Sequence, residues 1–555
     1  MPSAGNLSLI DSCSFQGLPM NRFRILAVRL AVCAAAASFI VPAGAATLRW
    51  SGAGDVSSMD PYARNETFLI TFNSNIYEPL VRRNKQLKLE PSLATEWGMV
   101  SPTTWYFNLR PNVKFSDGTP FSADDVVFSL NRANGKGSNM LAYFSTVKAI
   151  RKVSATRVEI DTQRVDPLLA TKWGSLGMMS KAWAEKNNAT NVADMTKAEE
   201  GFANRNAMGT GPFVLKERKD GERTVLVRNL NWWDKPEHNL DEVIYMPIAN
   251  PSTRVAALRS GNIDMVYEVP PSDVESLKKD ASVKVMEGGE TRVIFLGFNQ
   301  ELSELPESNV KGKNPFQDKR VREAIYRSID VQAIRRAVMR GQSVPTALLV
   351  APVINGYDKD LDKRPAMLKP EEAKKLLADA GYPNGFETVM DCPNDRYVND
   401  EAICQAVVSM LTRIGVKLDL QAQTRNKFFA KIMRKGDYSP AKVNLYLMAW
   451  SPGSTYDAHN VFDSLLQTPS PVTKRGQANI GGYSNPAFDA LAEKIDQEAD
   501  PKARQELVRQ ATKIYLDDYA YVPLHQQTVV WAMRKNLDLF QPADNTFPLR
   551  WVTVH

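Results

Sequence analysis

WYFNLRPNVKFSDGTPFSADDVVFSLNR, residues 105–132, changes its hydrophobic period part-way along. Trp105, Phe107 and Leu109 alternate with polar residues, and Val113–Phe115 repeats the alternation briefly, so both stretches predict short strands. Ser116-Asp117-Gly118 is turn chemistry. Ser122, followed three residues later by Asp125, predicts an N-cap pair in front of a helix over 126–133. The same switch from period two to period 3.6 recurs outward along the chain. Pro251–Ser260 suits a helix stopped by Gly261, and residues 263–269 alternate like a strand. Pro370 stands in the first turn of a helix whose C-cap is Gly381. Ile403, Val407, Met410, Leu411 and Ile414 form a helical stripe ended by Gly415 and followed by the strand VKLDL. A last helix starting near Asp500-Pro501 leads to a buried strand over 522–533. Helices alternating with strands predict an α/β architecture.

The N-terminal region is of another kind. Arg22, Arg24 and Arg29 precede LAVCAAAASFIV, and Ala43-Gly44-Ala45 supplies small residues at cleavage-site spacing. That order predicts a Sec-type signal peptide over 1–45, with Met20 as an alternative start and export to the periplasm as the consequence. A membrane anchor is the competing reading, but the apolar run is well short of the ~20 residues a spanning helix needs. Cys33 is a poor lipidation site, because Val32 is bulky and the apolar run continues past the cysteine.

With residues 1–45 removed, three arginines and one aspartate are lost and the formal net charge falls from +7 to +5. Spread over some 510 residues, that balance describes a solvated surface and gives no reason to expect nucleic acid. Two cysteines, Cys392 and Cys404, remain. In an oxidising compartment a nearby pair predicts a disulfide, the alternative being two buried thiols. Catalytic signatures are missing: there is no G-x-S-x-G elbow, no H-E-x-x-H helix, no P-loop and no G-x-G-x-x-G. The four histidines, His238, His459, His525 and His555, are not at metal-ligand spacing. No cofactor, no metal and no enzymatic activity are expected.

Four blocks together are more specific than any of these short patterns. Residues 105–132, NAMGTGPFVL at 206–215, PFQDKRVREAIYRSID at 315–330 and AKKLLADAGYPNGF at 373–386 resemble the family 5 extracellular solute-binding proteins of bacterial ABC importers. That family includes dipeptide-, oligopeptide- and nickel-binding members, and the resemblance runs from about Leu48 to Val554. It implies an α/β, two-lobed periplasmic-binding-protein fold of class II type. The first lobe would be 46–293, with an extra subdomain at about 83–205; the second lobe would be 294–524, and 525–555 would return to the first. The crossings would lie near Val293–Asn299 and Val522–Val529, with a ligand cleft between the lobes. The implied function is capture of a peptide or peptide-like solute by lobe closure. The implied partners are an inner-membrane permease and its cytoplasmic ATPase, with the binding protein itself a monomer. A binder of a metal complex or an opine, and less readily an exported hydrolase, are the alternatives.

The expected ligand loop is MAWSPGSTYDAHNVF, residues 448–462, at the C-terminal end of an apolar strand, where ligands sit in α/β sheets. It offers Trp450, Ser451, Ser454, Thr455, Tyr456, Asp457 and Asn460. Family peptide binders carry an ammonium-binding aspartate three residues after the tryptophan, and here that residue is Gly453. Asp457 either takes over that role or caps the helix that follows. Arg396, next to Tyr397, loosely resembles an arginine that binds a peptide's carboxylate; the alternative is a surface arginine paired with Asp395 or Asp400. Met208, Trp173 and Ser51, with the amides of Gly52 and Ala53, complete the candidate wall.

Overall fold

The computed structural model describes residues 46–195, 199–434, 438–453 and 455–555. The expected signal peptide with Met20 and Cys33, and the candidate Ser454, lie outside the described residues. Ser122 and Asp125 cap a helix reciprocally: the Ser122 backbone N–H donates to Asp125 at 2.9 Å, and the Ser122 hydroxyl accepts from the Asp124 N–H at 3.3 Å. The helix is Ala123–Ala133. The strand Thr104–Leu109 buries Trp105, Phe107 and Leu109 and sits inside a four-stranded antiparallel sheet with Ala94–Ser101, Arg157–Thr162 and Val147–Ser154.

Two strand expectations shorten. Val113–Phe115 contributes only a bridge, Lys114 opposite Pro120, because Pro120 has no N–H for a ladder and Gly118, at φ 89°, turns the chain back at once. Within 263–269 only Met265–Val266 is a strand, since Glu268 takes a positive φ of 63° that a pleat cannot accommodate. The expected helices form at Pro251–Ser260, Pro370–Asp379, Asp400–Thr412 and Pro501–Asp517. Asp500 caps the last of these by accepting from the N–H groups of Lys502 and Ala503.

One large sheet carries the rest. Its strand order is Val416–Gln423, Phe386–Pro393, Leu445–Trp450, Val283–Phe298, Tyr521–Arg534, Met265–Val266, Thr47–Ser51, Glu242–Tyr245, Arg223–Arg228 and Phe213–Lys219. Val283–Phe298 and Tyr521–Arg534 pair antiparallel along nearly their whole length, and their register shifts between Gly289 and Val293. On either side of that break the apolar cores separate. One side gathers residues from Leu48 to Val283 with Val530–Val552, and the other gathers Val293–Leu524. The fold is therefore two α/β lobes joined by two long strands. Among the described residues no helix is long and apolar enough to cross a membrane.

Cys392 and Cys404 form a disulfide that ties the end of Phe386–Pro393 to the helix Asp400–Thr412. By loop entropy a bridge of this span stabilises the fold by roughly 3 kcal/mol. The fold is also acid-sensitive in a defined way. His525, on a crossing strand, and His238 are buried, and burial lowers each to a pKa of about 4. Because the unfolded chain takes up those protons first, stability is complete above pH 6.5 and falls as the pH drops from 6.5 towards 4. The loss is roughly 2–3 kcal/mol for each ring. Between pH 6.5 and 4 the urea midpoint of His525→Gln should lose less than that of the wild type. An equal loss in the variant would contradict the assignment.

Candidate functional site

The strand Leu445–Trp450 is buried almost throughout, and it delivers Trp450 and the loop after it to the register break of the crossing strands. There the Ser451 and Thr291 hydroxyls lie 2.7 Å apart. The chain then turns on Pro452, whose carbonyl accepts from the N–H groups of Thr455 and Tyr456. Tyr456 takes a left-handed φ of 53°, a conformation that costs a bulky residue on the order of 1–3 kcal/mol and has to be held from outside. Asp457 provides that hold. It caps the helix Ala458–Val461 by accepting from the His459 N–H at 2.8 Å, and it accepts from Asn355 at 2.7 Å. Arg504, on the helix Pro501–Asp517, completes the lock with a bidentate pair at 2.8 and 2.7 Å.

Held in this way, Tyr456 reaches the other lobe. Its hydroxyl donates to Asp544 at 2.7 Å, and the Arg83 guanidinium lies over its ring at 3.7 Å. Behind this contact is a cavity of about 450 Å³ between the lobes, a size suited to a small organic ligand. Trp450, Ser451, Gly453, Tyr456 and Asn460 line it from the second lobe, and Asn460 also accepts from the Trp450 indole at 2.9 Å. Tyr143, Trp232, Arg83 and Asp544 line it from the first, and Glu290 and Arg292 come from the register break.

The other candidates have different places. Asp457 is buried in its lock with Arg504 and does not line the cavity; Thr455 is buried beside it. Met208 and Trp173 belong to the first-lobe core, and the Trp173 indole donates to the Tyr143 carbonyl at 3.2 Å. Ser51 is buried and donates to the Met246 carbonyl at 2.6 Å. The Tyr397 hydroxyl accepts from the Ala449 N–H at 3.2 Å, and Arg396 rests 5.1 Å from the Tyr397 ring. Asp400 accepts from the backbone N–H groups of Arg396 and Tyr397, so it braces the loop and does not pair with the guanidinium.

Charge is concentrated on the cavity wall. Burial pushes the Glu78 carboxyl up, while the indoles of Trp232 and Trp233 and the Thr210 hydroxyl, at 3.1, 2.7 and 2.9 Å, favour its anion. Glu290 holds the Arg292 guanidinium above its ordinary range from 3.3 Å and accepts from Gln527 at 2.9 Å. Burial lowers Arg83, whose N–H groups reach the Leu87 and Thr171 carbonyls. Burial, and after it the nearby Arg82, lowers Arg550 to about 10. None of these residues stood out in the sequence. No motif marks Arg82 or Arg83, and no spacing rule brings Asp544 beside Tyr456. Among the described residues no group of His, Cys, Asp and Glu could hold a metal ion.

Residues 88–470 match the sequence profile of the bacterial extracellular solute-binding proteins, family 5 (middle region). The chain belongs to that family. Heme-binding protein A of Haemophilus influenzae is 27% identical over 476 residues, which is 81% of this chain and 82% of the relative. The glutathione-binding protein GsiB of Escherichia coli K12 is 25% identical over 492 residues, 87% of this chain and 90% of its own. Among solved structures, the ABC transporter-associated periplasmic binding protein DppA of Helicobacter pylori, in complex with the peptide STSA, superposes with a TM-score of 0.70. The superposition covers 92% of this chain and 98% of that one at 24% identity, and so speaks for the fold. The family 5 lobes thus meet around the cavity just described.

Proposed function

We propose that this protein captures a peptide-like small solute between its lobes in the periplasm and hands it, as a monomer, to an ABC permease with a cytoplasmic ATPase. One observation carries the reading: the cavity wall is shared, with Trp450, Ser451 and Tyr456 from one lobe facing Arg83, Trp232 and Asp544 from the other. A solute seated there contacts both lobes only when they are together, which is the differential binding that closure requires. Curated relatives whose names record heme and glutathione binding support small-solute capture. The lobes are 46–293, with its subdomain at about 83–205, and 294–524, with 525–555 returning; residues 1–45 serve as the export signal. Trp450 and Ser451 contact the solute directly. Ser454 is proposed as a further contact from the sequence alone, Thr455 and Asp457 shape the loop, and Arg396, Tyr397, Met208 and Ser51, also expected to bind the ligand, do not line the cavity. No catalytic step, cofactor or nucleic acid enters the role. Native mass spectrometry of protein released gently from the periplasm tests it. The expected spectrum shows a non-covalent adduct of peptide-like mass that mild denaturation removes, and bare protein under all gentle conditions would overturn it.

A further inference from the structure

The carboxylates lining the cavity are already engaged by protein donors. Glu78 is held by two indoles and Thr210; Asp544 accepts from Tyr456 and from both the N–H and the hydroxyl of Thr546; Glu290 accepts from Gln527 and lies against Arg292. Gly453 brings no carboxylate, and Asp457 is turned into its lock with Arg504. Among the described residues four arginines line the cavity, of which Arg82 pairs with Glu90 and Asp234 at 2.8 and 2.7 Å and Arg550 lies 3.5 Å from Glu90. Among the described residues Arg83 makes no ion pair: its guanidinium meets two carbonyls and the face of Tyr456, and the residue lines the cavity. Arg292 meets Glu290 at 3.3 Å, longer than a good charge-assisted contact, and also feels the charge of Glu268. Arg83 comes from the first lobe and Arg292 from the register break between the crossing strands.

We infer that the cavity selects an anionic solute over its neutral counterpart of the same shape, with Arg83 and Arg292 as the anchors of its carboxylate or phosphate. This rests on the solute-capture reading and adds the ligand's charge to it. An anion there supplies the counter-charge that Arg83 lacks and adds a second partner for Arg292, which Glu290 already holds, whereas a neutral isostere brings Arg83 no counter-charge. Burial lowers Arg83, consistent with a cation short of counter-charge.

The test uses equimolar tripeptide libraries with free and with amidated C-termini, in each of which every member containing Asp or Glu is matched by its Asn or Gln counterpart. Retained peptides are identified by mass spectrometry after desalting. The wild type is expected to retain acidic members about tenfold or more over their Asn or Gln partners. Arg292→Gln and Arg83→Gln are expected to erase that ratio. Arg292→Lys, which keeps the charge, is expected to preserve most of it, with thermal melts confirming that each variant is folded. Equal retention of acidic members and their Asn or Gln partners by the wild type in both libraries would overturn this inference while leaving solute capture standing. Acid enrichment that survives in both glutamine variants would overturn the two anchors. Retention of no tripeptide at all would overturn the capture of peptide-like solutes, and this inference with it.

Discussion

Arg504→Ala is expected to destabilise the second lobe by about 3–5 kcal/mol, although Arg504 does not line the cavity. The reason is the state in which it leaves Asp457. Both side chains are buried, and the arginine supplies two of the carboxylate's hydrogen bonds, at 2.8 and 2.7 Å. Deleting one partner of such a pair strands a buried charge, which costs far more than the intact pair contributes to folding. What remains around Asp457, the Asn355 amide and the His459 N–H, cannot replace a guanidinium. Denaturant midpoints measure the loss, and a variant within ~1 kcal/mol of wild type would show that the lock is dispensable. Because the same aspartate follows Tyr456 in the chain, solute affinity should fall together with stability.

Tyr456→Ala is expected to act on closure and to spare folding. In the closed form the side chain contributes a hydrogen bond to a carboxylate and a stacked guanidinium, and both partners belong to the opposite lobe. A buried cation–π contact is worth about 2 kcal/mol and a hydrogen bond to a charged group about 1.5–3 kcal/mol. Losing both, after the open form's solvation offsets part of the gain, should shift the closed-to-open ratio by roughly 3 kcal/mol, or about a hundredfold. Tyr456→Phe keeps the stacked ring and loses only the hydrogen bond, so its shift should be about tenfold. Small-angle scattering of the two variants reads this directly. Equal closed fractions in Tyr456→Ala and wild type would show that the contact is incidental.

The fold was legible because its signals are local. The cap at Ser122 and Asp125, the prolines that open helices at 251, 370 and 501, and the glycine stop at 261 each act within a few residues, and the structure has them all. The shortened strand at Met265–Val266 escaped for a physical reason: alternation describes burial, and it is silent about the positive φ at Glu268 that ends the pleat. The site was half legible. The loop after Trp450 could be found from its polar content at a strand end, and Trp450, Ser451, Tyr456 and Asn460 do line the cavity. Asp457 carried two readings because a capping aspartate and a ligand-facing aspartate look alike in sequence. Its partner Arg504 lies 47 residues away on a helix that reads as amphipathic and unremarked. The opposing wall could not be read at all, since Arg83, Arg292 and Asp544 meet only through the crossing of two strands.

Closure on a solute is measured most directly by scattering from wild-type protein stripped of its solute by unfolding and refolding with the Cys392–Cys404 bridge intact. The measurement is repeated after loading with the tripeptide libraries. The stripped protein should give a larger radius of gyration, and loading should return the curve calculated for the closed lobes, with Tyr456 against Asp544 and Arg83. Superimposable curves before and after loading, with peptide demonstrably bound, would contradict capture by lobe closure.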